Sequence, residues 1–488
     1  MKVYLQGHTY QYAVEQTIAT LFPGEKTEYT ADRETAELSV ILYAGTKFTT
    51  VGCTYRAGGG VFHGRAAVQT SRLTDAVEQD RLCQFIIKSA IYRAARTSGL
   101  PRPPWGALTG VRPGKLMHSL IREGASSGQT IRRFIREYDV TKERAGLCYE
   151  TSLATLRAED SLRERDLCLY IGIPFCPTRC AYCSFVSQSV GKSMALIDRF
   201  LEALLLEIRA NAAQVKRIGG RVVTVYAGGG TPTTLSAQQL DRLCSAVETE
   251  FDLSALREYT VEAGRPDTIT PEKLQVLRAH GVNRVSVNPQ TMDDAVLAAI
   301  GRRHTAQDIL TALEMVRECG GMAVNMDLIA GLPEDTVQGF ARSLDTVLAL
   351  SPENITVHTL SLKKGSGLML GKKEIPSPAA VGEMLAYAYP KLRENGYAPY
   401  YLYRQKNMSG GFENTGWTKP GHENLYNICM MEELCTILAS GGGGSTKLIH
   451  PGGGKNIRLT APKYPLEYIQ QIETTCKNKE RIGEFYGV

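Results

Sequence analysis

From Asp166 onward the chain repeats one pattern, a short β-rich run followed by a helical stretch, and few folds accommodate that rhythm. The runs are "LCLYIGI", "RVVTVYAGG", "EYTVEAG", "NRVSVNPQ", "AVNMDLIAG" and "NITVHTL". Helical patterns span Ala195–Ala213, Ala237–Phe251, Pro271–His280, Met292–Ile300, Ala306–Glu318 and Val337–Leu348. Strand, helix, strand at this interval means crossover units and a parallel sheet. Six units fit a partial (β/α)6 barrel, curved but not closed, better than a flat doubly wound sheet. Folds of this kind place their chemistry at the carboxyl ends of the strands. The distinctive residues lie there too: a cysteine loop after the first run, glycines after the second, Glu262 ending the third, Gln290 after the fourth and Asp327 ending the fifth.

The rest of the chain divides around this α/β core. Residues 1–100 alternate short strands ("KVYLQ", "ELSVILY", "KFTTVGCTYR") with helical patterns, and Leu82, Phe85, Ile86, Ala90 and Ala94 fall at helical spacing. This predicts a small α/β N-terminal domain. Residues 101–165 read as a helical connector. The barrel is assigned to 166–371, and 372–488 to a C-terminal subdomain with "YAPYYLYRQ" and the glycine-rich "GGGGSTKL". No apolar run is long enough to span a bilayer, and the N-terminus lacks the basic and apolar regions of a signal peptide. A cytoplasmic protein with reduced thiols or metal-bound cysteines is expected. The net charge of +6 is spread along the chain, so it does not by itself point to nucleic acid.

"IPFCPTRCAYCSF" (Ile173–Phe185) packs Cys176, Cys180 and Cys183 into eight residues. Structural zinc takes four ligands from paired cysteine knuckles, and three thiols leave it one short. Cys168 is a conceivable fourth, but it lies on the preceding strand, on the face of Tyr170 and away from the loop tip. Inert core cysteines suit a loop of Pro177, Thr178 and Arg179 poorly. An iron–sulfur cube held by three thiolates explains the count better, because its fourth iron keeps an open site.

C-x3-C-x2-C with an aromatic, Tyr182, before the third cysteine resembles the radical S-adenosylmethionine superfamily. The resemblance implies a [4Fe–4S] cluster on Cys176, Cys180 and Cys183. It also implies S-adenosylmethionine, chelated to the open iron and cleaved to a 5′-deoxyadenosyl radical that takes hydrogen from substrate. "AGGGTPT" (Ala227–Thr233) ends the second run with glycines that allow close backbone approach. It is no phosphate loop, because no G-K-[ST] follows. Within the superfamily the chain is similar to the oxygen-independent coproporphyrinogen III oxidase family, and to its longer members, the coproporphyrinogen dehydrogenases. By that resemblance Tyr170, Tyr182, Gly229, Gly230, Thr231, Glu262, Gln290, Arg302, Asp327 and Ser361 are the cofactor-binding residues. A guanidinium fork at Arg302 suits a carboxylate.

The resemblance implies oxidative decarboxylation of two propionates of coproporphyrinogen III, giving protoporphyrinogen IX. It also implies a tetrapyrrole substrate and an electron donor such as flavodoxin or ferredoxin, with no membrane or nucleic acid partner expected. Beyond cluster and cofactor, no catalytic side chain is singled out. The family's oxidases carry C-x-C at the third cysteine, whereas this chain reads Cys183–Ser184–Phe185, as haem-chaperone relatives do. Those chaperones carry H-N-x-x-Y-W, whereas this chain has His422–Glu423–Asn424–Leu425–Tyr426–Asn427. A haem chaperone, an anaerobic haem-degrading methyltransferase and a radical RNA-modifying enzyme stand as alternatives.

Overall fold

The computed structural model describes residues 1–22, 24–110, 112–183, 188–361, 374–405, 408–450 and 454–488, and only the backbone of residues 188–194. Ser184, Phe185 and the boundary expected near Gly371 lie outside the described residues. The chain forms two compact units, Met1–Tyr149 and Glu150–Val488.

The first unit holds strands β1 (Lys2–Gln6), β2 (Glu28–Tyr29), β3 (Leu38–Ala44), β4 (Phe48–Ala57) and β5 (Gly60–Gln69), in the order β2-β1-β3-β4-β5. The periodicity around Leu82 and Ile86 becomes a helix, Ala76–Thr97, whose N-terminal amides Val77 and Glu78 donate to the Asp75 carboxylate. Strand β5 has no counterpart among the expected strands; it pairs back on β4 through Ala57–Gly60. Gly64 on β5 lets this helix pack directly on the sheet, since a Cβ there would meet the Ala90 carbonyl.

In the second unit, β6 (Asp166–Ile173) leads into the cysteine loop, which holds the short parallel pair β7 (Phe175–Cys176) and β8 (Gln188–Ser189). The expected runs then become β9 (Arg221–Gly229), β10 (Glu258–Glu262), β11 (Arg284–Ser286), β12 (Ala323–Ala330) and β13 (Asn354–Thr359). β6, β9, β10, β11, β12 and β13 lie side by side in chain order, all parallel. That is the order successive βα units produce. Asp327 does not end its strand: pairing between β12 and β13 continues to Ala330 opposite Thr359 and carries the strand three residues further.

The segment after residue 373 adds strands at both edges of this sheet. β14 (Ala398–Tyr403) and β15 (Asn414–Thr418) run antiparallel beyond β13. β16 (Thr436–Gly441) pairs parallel with β6, followed by β17 (Ser445–Leu448) and β18 (Ile457–Thr460). The last helices are tied back by a buried ion pair, Lys479 Nζ to Glu207 Oε1 at 2.8 Å.

Beyond a register shift between β6 and β9 at Leu167–Cys168, side chains alternate between two faces of the sheet. One carries Leu169, Ile171, Val225, Val261, Val285, Met326 and Val357, all buried. The register puts Cys168 and Tyr170 beside Thr224 and Tyr226, then Glu258, Thr260 and Glu262, then Arg284 and Ser286, on the other. Asn325, Asp327, Asn354 and Thr356 continue it. One face is therefore apolar and packed, while the other carries the polar and titratable side chains.

Candidate active site

The cysteine and glycine loops are built against each other. Gly230 N–H donates to Ile173 O at 2.8 Å and Thr231 N–H to Phe175 O at 2.7 Å, so the glycine loop runs along the chain entering the cysteine loop. A Cβ on Gly230 would stand 2.5 Å from the Phe175 carbonyl oxygen, and Gly229 adopts φ +105°. Thr231 Oγ1 then lies 3.5 Å from Cys176 Sγ. The glycines here answer first to the protein's own backbone. Gly228 serves a different purpose: its missing side chain leaves room for Glu262 and Tyr226.

Two buried guanidiniums approach the middle of the cysteine loop. Arg265 is held by a two-pronged ion pair with Asp267 at 3.1 Å, donates to Thr178 Oγ1 at 2.9 Å, and places Nη1 3.8 Å from Cys180 Sγ. Arg302 donates from Nη1 to Asn288 O at 2.6 Å and to Gly264 O at 3.3 Å. Its Nη2 reaches Tyr182 Oη at 3.4 Å, and its Nε is buried with no hydrogen-bond partner among the described residues. The Nε–Nη2 edge, the one that grips a carboxylate with two parallel bonds, is thus the less committed side. His304 sits behind Arg302; burial, then the positive charges of Arg302 and Arg265, pull its imidazole down to about 4. The Thr305–Asp308 capping box starts the helix Ala306–Cys319 immediately afterwards, fixing where this loop ends.

On the polar face, Tyr170, Tyr226 and Tyr426 form a near-parallel stack, with Tyr226 and Tyr426 ring centres 4.4 Å apart. Tyr226 Oη donates to Glu262 Oε1 at 2.5 Å. Burial raises the Glu262 carboxyl to about 7, against the lowering effect of the Tyr226 bond. Burial also works to raise Asp327, but His358, with Nε2 3.6 Å from Oδ2, together with Asn325 and Thr356, holds it below the usual carboxylate range. The neighbouring carboxyls are therefore pushed in opposite directions. Gln290, in the left-handed region at φ +68°, donates its N–H to Asp327 O at 2.8 Å. Ser361 stands just past β13 in an isolated bridge with Met408.

The structure thus joins Cys176 to Thr231, Cys180 and Tyr182 to the arginines, and Tyr170 to Glu262 through Tyr226 and the glycines. Sequence reasoning missed Arg265, Tyr226, Asn325, His304 and His358. The alternation within "TVYA", "VNMDL" and "NITVH" is a signal that marks three of them, Tyr226, Asn325 and His358, as sharing one face of the sheet. "GHENLYN" departs from a haem-ligand signature, and its visible contacts are architectural. The His422 carbonyl accepts from Arg284 and Asn354, Asn424 caps the helix Leu425–Glu432, and Tyr426 completes the stack.

A parallel α/β sheet with a three-cysteine loop beyond its first strand is the architecture of a radical S-adenosylmethionine protein. The model of that superfamily matches residues 170–347. The chain is 41% identical over 385 residues to the oxygen-independent coproporphyrinogen-III oxidase-like protein HemZ of Bacillus subtilis, spanning 78% of this chain and 77% of that protein. It is 31% identical over 344 residues to the heme chaperone HemW of the same organism, spanning 65% of this chain and 86% of HemW. Its fold matches coproporphyrinogen III oxidase HemN from Escherichia coli with a TM-score of 0.52, at 24% identity over 67% of this chain and 73% of that one. The chain belongs to the oxygen-independent coproporphyrinogen III oxidase-like family of radical S-adenosylmethionine proteins. Its cofactors are accordingly a [4Fe–4S] cluster and S-adenosylmethionine. Among the described residues, no helix is long and apolar enough to cross a membrane.

Proposed function

We propose that this protein oxidatively decarboxylates two propionates of coproporphyrinogen III to vinyl groups without oxygen, yielding protoporphyrinogen IX. The observation that carries the reading is the meeting of a three-thiol loop with a polar sheet face, in a chain 41% identical to a coproporphyrinogen-III oxidase-like protein. Cys176, Cys180 and Cys183 would hold the cluster. The chemistry of this donor set fits: the thiols are half-buried, and Arg265 and Arg302 set positive charge where a thiolate-bound cluster brings negative charge.

When bound, the cluster supplies the electron that cleaves S-adenosylmethionine to the radical that takes a hydrogen atom from substrate. Arg302 would offer its Nε–Nη2 edge to the cofactor carboxylate. Glu262 and Asp327 would accept from its amino and hydroxyl groups, and the loop of Gly229, Gly230 and Thr231, with Tyr170, Tyr182, Gln290 and Ser361, would complete the cradle. At each propionate a β-hydrogen atom leaves, carbon dioxide follows, and one electron passes to an outside acceptor. A flavodoxin or ferredoxin would serve as electron donor.

A haem chaperone is the second reading, favoured by the likeness to HemW over 86% of that protein. The experiment is anaerobic incubation of reconstituted protein with reductant, S-adenosylmethionine and, in parallel, coproporphyrinogen III or haem, read by chromatography of the tetrapyrroles. Vinyl products support the proposal. Untouched coproporphyrinogen together with haem retained through gel filtration favours the chaperone, and an opened, methylated macrocycle favours haem degradation.

A further inference from the structure

A second thiol cluster lies apart from the loop. Cys168 comes from β6, Cys429 from the helix Leu425–Glu432 and Cys435 from the residue preceding β16. Their sulfurs all fall within 4.8 Å of one another, with Cys168 and Cys435 at 3.5 Å, and all three residues are buried. Among the described residues this is the one trio of potential ligands so closely drawn together.

We propose that Cys168, Cys429 and Cys435 bind a single thiophilic metal ion, zinc being the reference case. Zinc–sulfur bonds of about 2.3 Å in a tetrahedron set the sulfurs about 3.8 Å apart, a spacing this trio already approaches. Thiols filling a core as small hydrophobes have no need to converge on one point. Thr224 pairs with Cys168 across the β6–β9 register, and its buried Oγ1 adds a polar atom on the strand next to the trio. Charge is manageable as well. Zinc with three thiolates leaves one net negative charge, and the nearby Glu258 is already engaged by the Leu425 and Tyr426 amides and by Arg284 at 3.7 Å.

Binding would replace three thiol protons, released to solvent, with metal–sulfur bonds, and no electron transfer is needed. The ion would fasten the first strand of the parallel series, the start of its neighbour β16 and the helix carrying Tyr426. It would close a loop of 267 residues between Cys168 and Cys435.

The test uses the full chain carrying Cys176→Ser, Cys180→Ser and Cys183→Ser, so that the loop contributes no metal. Purified from zinc-containing medium, it should hold about one zinc per chain by plasma mass spectrometry. Adding Cys168→Ser or Cys429→Ser should lower that content at least tenfold. If these further variants aggregate, cobalt(II) titration of the loop variant alone decides, since thiolate coordination produces an intense charge-transfer absorption. A folded loop variant that carries under a tenth of an equivalent of zinc and shows no such band overturns the site. So does a Cys168–Cys435 disulfide in freshly purified protein.

Discussion

Tyr226 and Glu262 face each other across neighbouring strands, both half-buried, the phenol donating to the carboxyl at 2.5 Å. Burial raises Glu262 to about 7, whereas a glutamate in the unfolded chain titrates near ~4.3. The folded protein therefore holds this proton more tightly than the unfolded chain does. The resulting stability is complete below the unfolded value and is lost as pH rises through 7. In cluster-free protein, Glu262→Gln should gain on the parent by roughly 2–3 kcal/mol between pH 5 and pH 8. Urea unfolding at the two pH values measures this, and a pH-independent difference would place an ordinary, ionised carboxylate at Glu262.

Arg302 combines two roles that one substitution separates. Arg302→Lys keeps the charge but loses the planar fork, so S-adenosylmethionine affinity should fall by about 1.5–3 kcal/mol while cluster iron stays near the parent value. Calorimetric titration and iron analysis of the same sample give both readings. Loss of iron with unchanged cofactor affinity would make Arg302 a brace for the loop, through Tyr182 and the Asn288 carbonyl, and not a cofactor ligand.

Gly230→Ala forces a methyl to within 2.5 Å of the Phe175 carbonyl oxygen, a backbone atom that cannot swing aside. A cost of about 1–3 kcal/mol is expected, seen as a lower melting temperature. Gly146→Ala, in the helix Lys142–Asp160 with no atom within 4 Å of the new Cβ, should raise stability by about 0.5–1 kcal/mol. Equal behaviour of the two variants would contradict the close packing of the two loops.

The βα rhythm was legible because each unit is local: a run such as "RVVTVYAGG" declares a strand and "AQQLDRLCSAVETE" a helix without knowledge of the rest. Their order followed from chain connectivity. The edges were illegible for the opposite reason. Nothing near Thr436 reveals that it will lie beside Leu167, and "YAPYYLY" does not announce an antiparallel partner at Asn414–Thr418. The same distance hid the meeting of Cys168 with Cys435. Asp327 looked like a strand end because "AG" follows soon after, but pairing with β13 outlasts it. Arg265 escapes a sequence reading because a lone arginine after a glycine has no pattern, and only the folded loop brings it to Cys180.

The most direct test counts 5′-deoxyadenosine against product in one anaerobic reaction with coproporphyrinogen III. Two propionates processed in separate hydrogen abstractions require about two 5′-deoxyadenosines per protoporphyrinogen IX, with a three-carboxylate intermediate appearing first. Cys180→Ala should give neither, and Cys148→Ala should leave both unchanged. Cleavage of S-adenosylmethionine with coproporphyrinogen left intact would contradict the account.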